Sequence, residues 1–241
     1  MKTNSNKQVA AFDQVLGHCN ALGEKYNPSM ESMKVAALKS LLTSAQSSIT
    51  AVDTVNANLI RAVNTRQKAF STITGVATRI VNLLIAADAS PQLIDDVKRY
   101  RDKLTSRRAK KIMKPEDSTN TTEPADASRG PVSYLDFESR AVNFGTIISL
   151  IQAEPLYNPN EEEFSIVGLK SLLSSLRSAS NAVYDAQVNL RNARLARRVA
   201  LYGDAGLYGA SMRVKKYILF VFGARSEQHR MFTGIKLKSA S

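Results

Sequence analysis

Apolar residues recur with alternating spacings of three and four along two separate stretches of the chain. The first stretch runs from Leu38 to Ala69 and the second from Leu169 to Ala200. This spacing is typical of a helix that packs along a nearly straight seam, and a β-strand does not have it. Neither stretch contains a glycine or a proline, so each predicts one long helix.

The two stretches lie within a longer pair of similar segments. Residues 26–69 and 157–200 align without a gap and are identical at 18 of 44 positions. Both segments begin with Tyr-Asn-Pro, at Tyr26 and at Tyr157. Self-similarity at a fixed offset indicates an internal duplication. The sequence therefore predicts an all-α fold, an elongated helical bundle built from two duplicated multi-helix repeats.

A polar segment separates the two copies. Residues 115–131 consist mainly of Pro, Ser, Thr, Asn, Glu and Asp, a composition typical of a flexible linker. We therefore predict a first helical repeat over residues 1–114, a linker over 115–131, and a second repeat over 132–241. The second repeat ends in a basic tail, from Arg225 onward, that we expect to be extended.

Shorter helices are predicted around the long ones. One runs from about Lys7 to Gly23, and its counterpart in the second copy starts near Tyr134. After Ala69 the first copy is expected to continue through Gly75 into a separate third helix. Ser90 and the proline that follows it are expected to cap a fourth helix. In the second copy, a segment rich in glycine and tyrosine at residues 201–209 predicts a helix-to-helix turn instead.

The Tyr-Asn-Pro corners predict helix starts, because asparagine is a good N-cap and proline is favoured at the first helical position. We expect Tyr26 and Tyr157 to pack over the adjoining helix ends. Arg66 and Arg197 interrupt the apolar seam at equivalent places. Each arginine either reaches past the seam to solvent or forms a polar contact that fixes the register between helices.

The net charge of +12 indicates anionic partners, such as nucleic acid, an acidic protein or a membrane surface. The segment from Lys98 to Lys114 has nine basic residues and one acidic residue. A second arginine group lies near the end of the second long helix. The candidate contacts for an anionic partner are Arg107, Arg108, Lys110, Lys111, Arg191, Arg194 and Arg198.

The inventory of reactive side chains is small. The chain has two histidines, His18 and His229, and one cysteine, Cys19. This excludes a disulfide within the chain and leaves too few ligands for a Cys/His zinc site. Paired carboxylates and a Ser/His/Asp set cannot be assembled either. We therefore predict a protein that is not an enzyme, with no catalytic, cofactor-binding or metal-binding residues.

The N-terminal residues are polar, and an apolar run of signal-peptide length does not follow them. A continuous stretch of about 20 apolar residues does not occur either. These patterns predict a cytoplasmic protein without a membrane span, and export without a cleaved signal is the alternative.

The C-terminal region contains a short segment that is apolar on all sides. It runs from Tyr217 to Phe222 and is followed by Gly223, which is expected to end its helix. A helix that is apolar all round must be buried all round. The segment is therefore expected to dock into the first repeat or into a partner subunit. The candidate interface residues are Tyr217, Ile218, Phe220 and Phe222.

Several short elements resemble those of a group of uncharacterised two-repeat helical proteins of Bacteroidetes-type bacteria. They are Val214-Lys215-Lys216-Tyr217, Phe222-Gly223, Gly234-Ile235-Lys236 and the two Tyr-Asn-Pro corners. The resemblance implies neither an activity nor a site. Two hypotheses follow from the residues: a non-enzymatic structural or scaffolding protein that acts through self-association or protein partners, or a basic nucleic-acid-binding protein of the nucleoid-associated type.

Overall fold

A computed structural model describes residues 2–105 and 132–239, and this part of the chain contains helices and turns without a strand. The all-α prediction is confirmed. The α-helices, numbered in chain order, are α1 (Lys2–Ala21), α2 (Val35–Ala86), α3 (Pro91–Leu104), α4 (Val132–Gln152), α5 (Ile166–Tyr202), α6 (Leu207–Phe222) and α7 (Glu227–Gly234).

The two apolar stripes form long helices, as predicted, but α2 is longer than expected. It has 52 residues and runs through Gly75 without a break, so the separate third helix was a wrong prediction. A glycine in a helix costs only about 1 kcal/mol relative to alanine. Beyond Gly75 the inward face continues with Ala77, Ile80 and Leu84, which are fully buried. Burial of these side chains offsets the cost of the glycine.

The Tyr-Asn-Pro corners do not start the long helices, so the predicted N-caps were wrong. Each corner leads into a single 3₁₀ turn, Glu31–Met33 or Glu162–Phe164, and the α-helix begins two residues after that turn. The tyrosine explains this geometry. The Tyr26 hydroxyl donates to the Met33 carbonyl oxygen at 2.7 Å, and the Tyr157 hydroxyl donates to the Phe164 carbonyl oxygen at 2.8 Å.

Several helix ends follow their sequence signals. The Ser90 Oγ accepts a hydrogen bond from the Leu93 backbone N–H, and α3 starts at the proline after it. Gly223 ends α6 with a φ of +78°, which favours glycine. The predicted turn between α5 and α6 is also confirmed. A Cβ on Gly206 in this turn would lie 2.5 Å from the Val199 carbonyl oxygen, so only glycine fits there.

The sequence predicted that the basic tail is extended, but part of it is helical. Residues 227–234 form α7, whose first turn is capped by the Ser226 Oγ accepting from the His229 backbone N–H at 3.1 Å. After α7, residues 235–239 lie outside a helix. A serine N-cap followed by Glu227 in the first turn is a helix-start signal that the sequence analysis missed.

The described chain forms two compact units that are not consecutive in sequence. Unit 1 contains residues 1–60 and 185–241, and unit 2 contains residues 61–184. Each unit therefore takes residues from both sides of the segment 115–131. That segment was predicted to be a linker, and all of it lies outside the described residues, as does the whole range 106–131.

Each unit has its own apolar core. In unit 1, α6 packs on α1 and on the start of α2. This core includes Phe12, Val15, Leu16, Cys19, Leu38, Leu42, Leu207, Val214, Ile218 and Phe232. In unit 2, α3 and α4 pack with the second half of α2 and the first part of α5. That core includes Phe70, Ile73, Ile80, Leu84, Val97, Leu104, Phe144, Ile147, Ile151, Leu169 and Leu176.

The apolar segment of α6 docks onto residues of the first half of the chain, which was one of the two predicted outcomes. Ile218 is fully buried in the core of unit 1, and the Tyr217 ring meets the Tyr26 ring edge-on at 5.5 Å. Within this chain the segment is not buried on all sides. Phe220 is 84% exposed and Val221 is 41% exposed.

Candidate functional site

Unit 1 contains an open cleft of about 840 Å³ that four segments of the chain line together. The segments are the first two turns of α1, the middle of α2, the last turns of α5 and the chain after α7. The volume is within the range of small-molecule sites. The cleft therefore has the dimensions of a binding site for a ligand of moderate size.

The cleft is strongly basic. Six cationic side chains and one carboxylate, that of Asp53, line it. The cationic residues are Lys7, Arg194, Arg197, Arg198, Lys236 and Lys238. Like charges that converge at one place create a positive potential, which attracts anions and is reduced when an anion binds.

The three arginines reach the cleft because of their spacing on α5. Residues three and four apart lie on the same side of a helix, so Arg194, Arg197 and Arg198 are neighbours in space. Arg197 is half-buried on the inward side of α5 and also lines the cleft. This geometry agrees with the first alternative for Arg197, in which the side chain reaches past the seam to solvent.

The chain after α7 is fixed against α1 by a reciprocal pair of hydrogen bonds. The Gln8 Nε2 donates to the Lys238 carbonyl oxygen, and the Lys238 backbone N–H donates to the Gln8 Oε1, both at 2.8 Å. Gln8 is only 3% exposed and Lys238 is exposed, so the pair is partly shielded from water. These bonds place the side chains of Lys236 and Lys238 at the cleft instead of leaving them on a free end.

A second polar contact holds the same segment. The Lys215 ammonium group donates to the Ile235 carbonyl oxygen. Burial lowers the pKa of Lys215 from its ordinary value, because the charged form loses hydration. The Ile235 side chain itself is buried in the core of unit 1. The segment is thus held at Ile235 both by the buried side chain and by the backbone carbonyl group.

The structure brings together only some of the predicted anion contacts. Arg194 and Arg198 line the cleft, whereas Arg191 is exposed on the same helix and is not part of the lining. The candidates Arg107, Arg108, Lys110 and Lys111 lie outside the described residues. Sequence reasoning missed Lys7 as well as the two tail lysines as members of one site. Their neighbourhood depends on contacts between the two ends of the chain.

Arg66, the counterpart of Arg197, is in a different environment in unit 2. It is 2% exposed, and its guanidinium carbon lies 4.1 Å from the centre of the Phe137 ring. Arg140 of α4 lies near the same ring and donates to the Phe70 carbonyl oxygen at 2.8 Å. Arg66 therefore does not reach past the seam to solvent, and packing against α4 replaces that expectation.

Cys19 is a core residue of unit 1, and the histidine before it, His18, is half-buried. Burial raises the pKa of the Cys19 thiol to about 11, against a smaller opposing effect of the Tyr26 hydroxyl. A thiol with a raised pKa is a poor nucleophile at neutral pH. The His18 ring packs on the Phe232 ring at 5.5 Å. Within residues 2–105 and 132–239, we find no group of three or more His, Cys, Asp and Glu side chains placed to hold a metal ion.

Two exposed apolar surfaces lie outside the cleft. On α5, Val188, Leu195 and Val199 are 41–60% exposed and point away from the core of unit 1; we refer to them as the α5 ridge. In unit 2, Leu156 and Val167 are 52% and 79% exposed. They flank the exposed Glu161 and Glu162, and we refer to these four residues as the acidic corner.

The interface residues predicted on α6 are not presented together. Phe220 is exposed, while Ile218 is inside the core and the Tyr217 and Phe222 side chains are half-buried. Only Phe220 among the four is available in full to a partner.

In the part of the chain that the structure describes, one helix is long and apolar enough to cross a membrane by length and composition. This helix is α2, whose most apolar window of 18 residues has a mean hydropathy of 1.5 and is 33% buried. Core helices of water-soluble proteins have the same properties. Cytoplasmic localisation and the lack of a membrane span stay predictions.

Comparisons of this chain with protein-family models, with curated proteins and with solved structures found no match.

Proposed function

We propose that this chain is a non-enzymatic structural protein that acts by self-association. The observation that carries the proposal is the α5 ridge, in which Val188, Leu195 and Val199 expose apolar surface along one side of a helix. The residues are seven and four positions apart, which places them on one face. Exposed apolar side chains that share one helix face are typical of a docking surface.

The occupant that we assign to the ridge is the acidic corner of a second copy. Arg191 and Arg198 are exposed beside the ridge, and Glu161 and Glu162 are exposed beside Leu156 and Val167. Both surfaces thus combine apolar side chains with charges, and the charges have opposite signs. Such complementarity favours encounter in the correct orientation.

A pairing of the α5 ridge with the same ridge of another copy is disfavoured by charge. Between residues 185 and 202, α5 has four arginines and one acidic residue, Asp185. Two such segments would place arginines near arginines. A head-to-tail contact between different surfaces avoids this repulsion, and it produces rings or filaments according to its rotation.

We also propose that the two long helices and their corners descend from a duplication. The 18 identities in 44 positions support it, and so do the two 3₁₀ turns and the two tyrosine hydrogen bonds, which lie at the same offset of 131 residues. The resemblance to two-repeat helical proteins of Bacteroidetes-type bacteria stays a prediction.

Nucleic-acid binding stays the alternative. Its support is the group of cations around Arg194 and Arg198. Non-specific binding of nucleic acid uses a groove that follows the backbone over several nucleotides. The cations described here surround a cleft of limited volume, so we rank this alternative below self-association.

The test uses two variants that each damage one surface. The ridge variant replaces Leu195 and Val199 by glutamine, and the corner variant replaces Leu156 and Val167 by glutamine. Light scattering over a range of concentrations should show association of the unchanged protein and loss of association in each variant. A mixture of the two variants retains one intact pair of surfaces, so it should form dimers and nothing larger.

The matched control is Val142→Gln, which changes a 52% exposed apolar residue of α4 outside both surfaces. It should associate like the unchanged protein. An unchanged protein that is monomeric at every concentration would overturn the proposal. A corner variant that associates normally would overturn the head-to-tail arrangement.

A further inference from the structure

We propose that the basic cleft of unit 1 is a binding site for a compact polyphosphate, a ligand with three or more adjacent phosphate groups. The cleft is a different surface from the α5 ridge and the acidic corner, and it shares with the ridge only the neighbouring Arg198, so K236Q/K238Q is the cleft variant that leaves the charges beside the ridge intact. The proposal therefore does not depend on self-association.

The charge of the lining determines the class of ligand. Six cations and one carboxylate give an excess of five positive charges around one cleft. Each phosphate group carries roughly one to two negative charges at neutral pH. A single carboxylate or phosphate would leave most of the excess uncompensated, whereas a chain of three phosphates has a comparable charge of opposite sign.

The residue types match the same chemistry. Arg194, Arg197 and Arg198 present planar guanidinium groups, which donate paired hydrogen bonds to phosphate oxygens. Lysine ammonium groups on the other walls act as compact point charges. The Asn4 and Asn56 amides and the Tyr202 ring also line the cleft. These side chains provide polar and aromatic contacts for a group attached to the phosphates.

The site is fixed before any ligand binds. Two cations, Lys236 and Lys238, belong to a segment that is held by Gln8 and by Lys215. Ser5 and Gln8, polar residues that are 4% and 3% exposed, form part of the wall. Pre-organisation lowers the entropy cost of binding. A loose basic tail on the surface would have no such support.

The dimensions favour a compact ligand over a polymer. The cleft encloses about 840 Å³, which is comparable with sites for small molecules. A nucleic-acid strand would need the positive surface to extend beyond it. Inorganic tripolyphosphate and a nucleoside triphosphate are two sources of the same chemistry.

The experiment is isothermal titration calorimetry of the full chain with sodium tripolyphosphate, with ATP and with a single-stranded oligonucleotide, at two salt concentrations. Tripolyphosphate should bind, with an affinity that decreases at the higher salt concentration. The variant R194Q/R198Q should bind about tenfold more weakly or worse, because two charge-assisted contacts are lost.

The matched control is R61Q/R177Q, which removes two exposed arginines of unit 2 outside the lining. It has the same net charge as R194Q/R198Q and should bind like the unchanged protein. A second cleft variant, K236Q/K238Q, tests the opposite wall and should also weaken binding. Equal melting temperatures of the variants would show that folding is intact.

The ATP titration distinguishes the two sources, and either result supports the proposal. Tighter binding of ATP than of tripolyphosphate assigns a nucleotide, and equal binding assigns an inorganic polyphosphate. Absence of heat with tripolyphosphate at low salt would overturn the proposal. So would equal weakening in both arginine variants, or an oligonucleotide that binds more tightly than tripolyphosphate.

Discussion

Gln8 and Lys238 are 230 positions apart in the chain, yet the side-chain amide of one pairs with the backbone of the other through two hydrogen bonds of 2.8 Å. The glutamine side chain thereby acts as a short piece of backbone for the segment after α7. Since Gln8 is almost completely buried, water competes less for these part-buried bonds than at an open surface. The pair joins the two ends of the chain and forms one wall of the basic cleft.

Gln8→Ala should therefore destabilise unit 1 by about 1–3 kcal/mol, because the backbone N–H and carbonyl of Lys238 lose buried partners. Urea denaturation measures the loss, and hydrogen exchange of the Lys238 amide should become faster. The control is Gln14→Ala on the exposed side of α1, which should change the free energy of unfolding by less than about 0.5 kcal/mol. Equal effects of the two substitutions would contradict the role of the pair.

Tyr157→Phe should cost about 1–2 kcal/mol, because the Phe164 carbonyl oxygen loses its hydroxyl donor in a buried place. Burial raises the pKa of Tyr157 to about 12, whereas an unfolded tyrosine titrates near 10. Protonation thus favours the folded state. The contribution of Tyr157 to stability is complete below about pH 10 and is lost as the pH rises from 10 to 12.

Urea denaturation at several alkaline pH values tests both parts of this prediction. Tyr157→Phe should remove part of the decrease in stability above pH 10. The control, Tyr184→Phe, changes a tyrosine that is 63% exposed and should not alter the stability at neutral pH. If Tyr157→Phe leaves the stability at neutral pH unchanged, the hydrogen bond contributes nothing.

The local elements of this fold could be predicted from sequence, and their assembly could not. The stripe from Leu38 to Ala69 specified a helix, and Ser90 specified the start of another, because both depend on neighbours a few residues away. The helix starts predicted at the two corners were wrong, because the hydrogen bond from the Tyr26 hydroxyl to the Met33 carbonyl oxygen favours a 3₁₀ turn before the long helix. A tyrosine in this role has no simple sequence pattern.

The residues of the cleft likewise divide into those that sequence could group and those that it could not. The arginines of α5 could be identified as one group, because helical spacing places them together. Lys7 could not be joined to them, because it is 187 residues from Arg194. Lys238 could not be joined to them either, because α6 and α7 lie between it and α5 in the chain. The composition of the two units could not be predicted for the same reason, because each unit takes residues from both halves of the chain. Contacts between distant segments leave no period in the sequence.

Leu190→Asp should destabilise the protein by several kcal/mol, because a carboxylate would replace a leucine that is 5% exposed. Leu59→Asp should cost less, since Leu59 is half-buried on the same stripe of α2. The control is Asn189→Asp, which adds the same charge at the exposed neighbouring position of α5. Thermal denaturation ranks the three variants by melting temperature. If Leu190→Asp melts at the same temperature as the control, the stripe does not bury this residue.

Separate expression of the two halves tests the interleaved architecture. The core of unit 1 combines Phe12 of α1 with Ile218 of α6, and the core of unit 2 combines Ile80 of α2 with Phe144 of α4. Fragments 1–114 and 115–241 each contain part of both cores and neither core in full. Each fragment alone would expose the apolar surface that its missing partner covers, and we expect it to unfold or aggregate.

Co-expressed, the fragments should copurify with an affinity tag on only one of them, and the circular dichroism of the pair should match that of the intact chain. The control uses the fragment 115–241 with the substitution Ile218→Asp. This substitution places a carboxylate in the core of unit 1, so it should weaken the association of the two fragments. Two fragments that are each monomeric, helical and cooperative in unfolding would instead show that the halves are consecutive, independent domains.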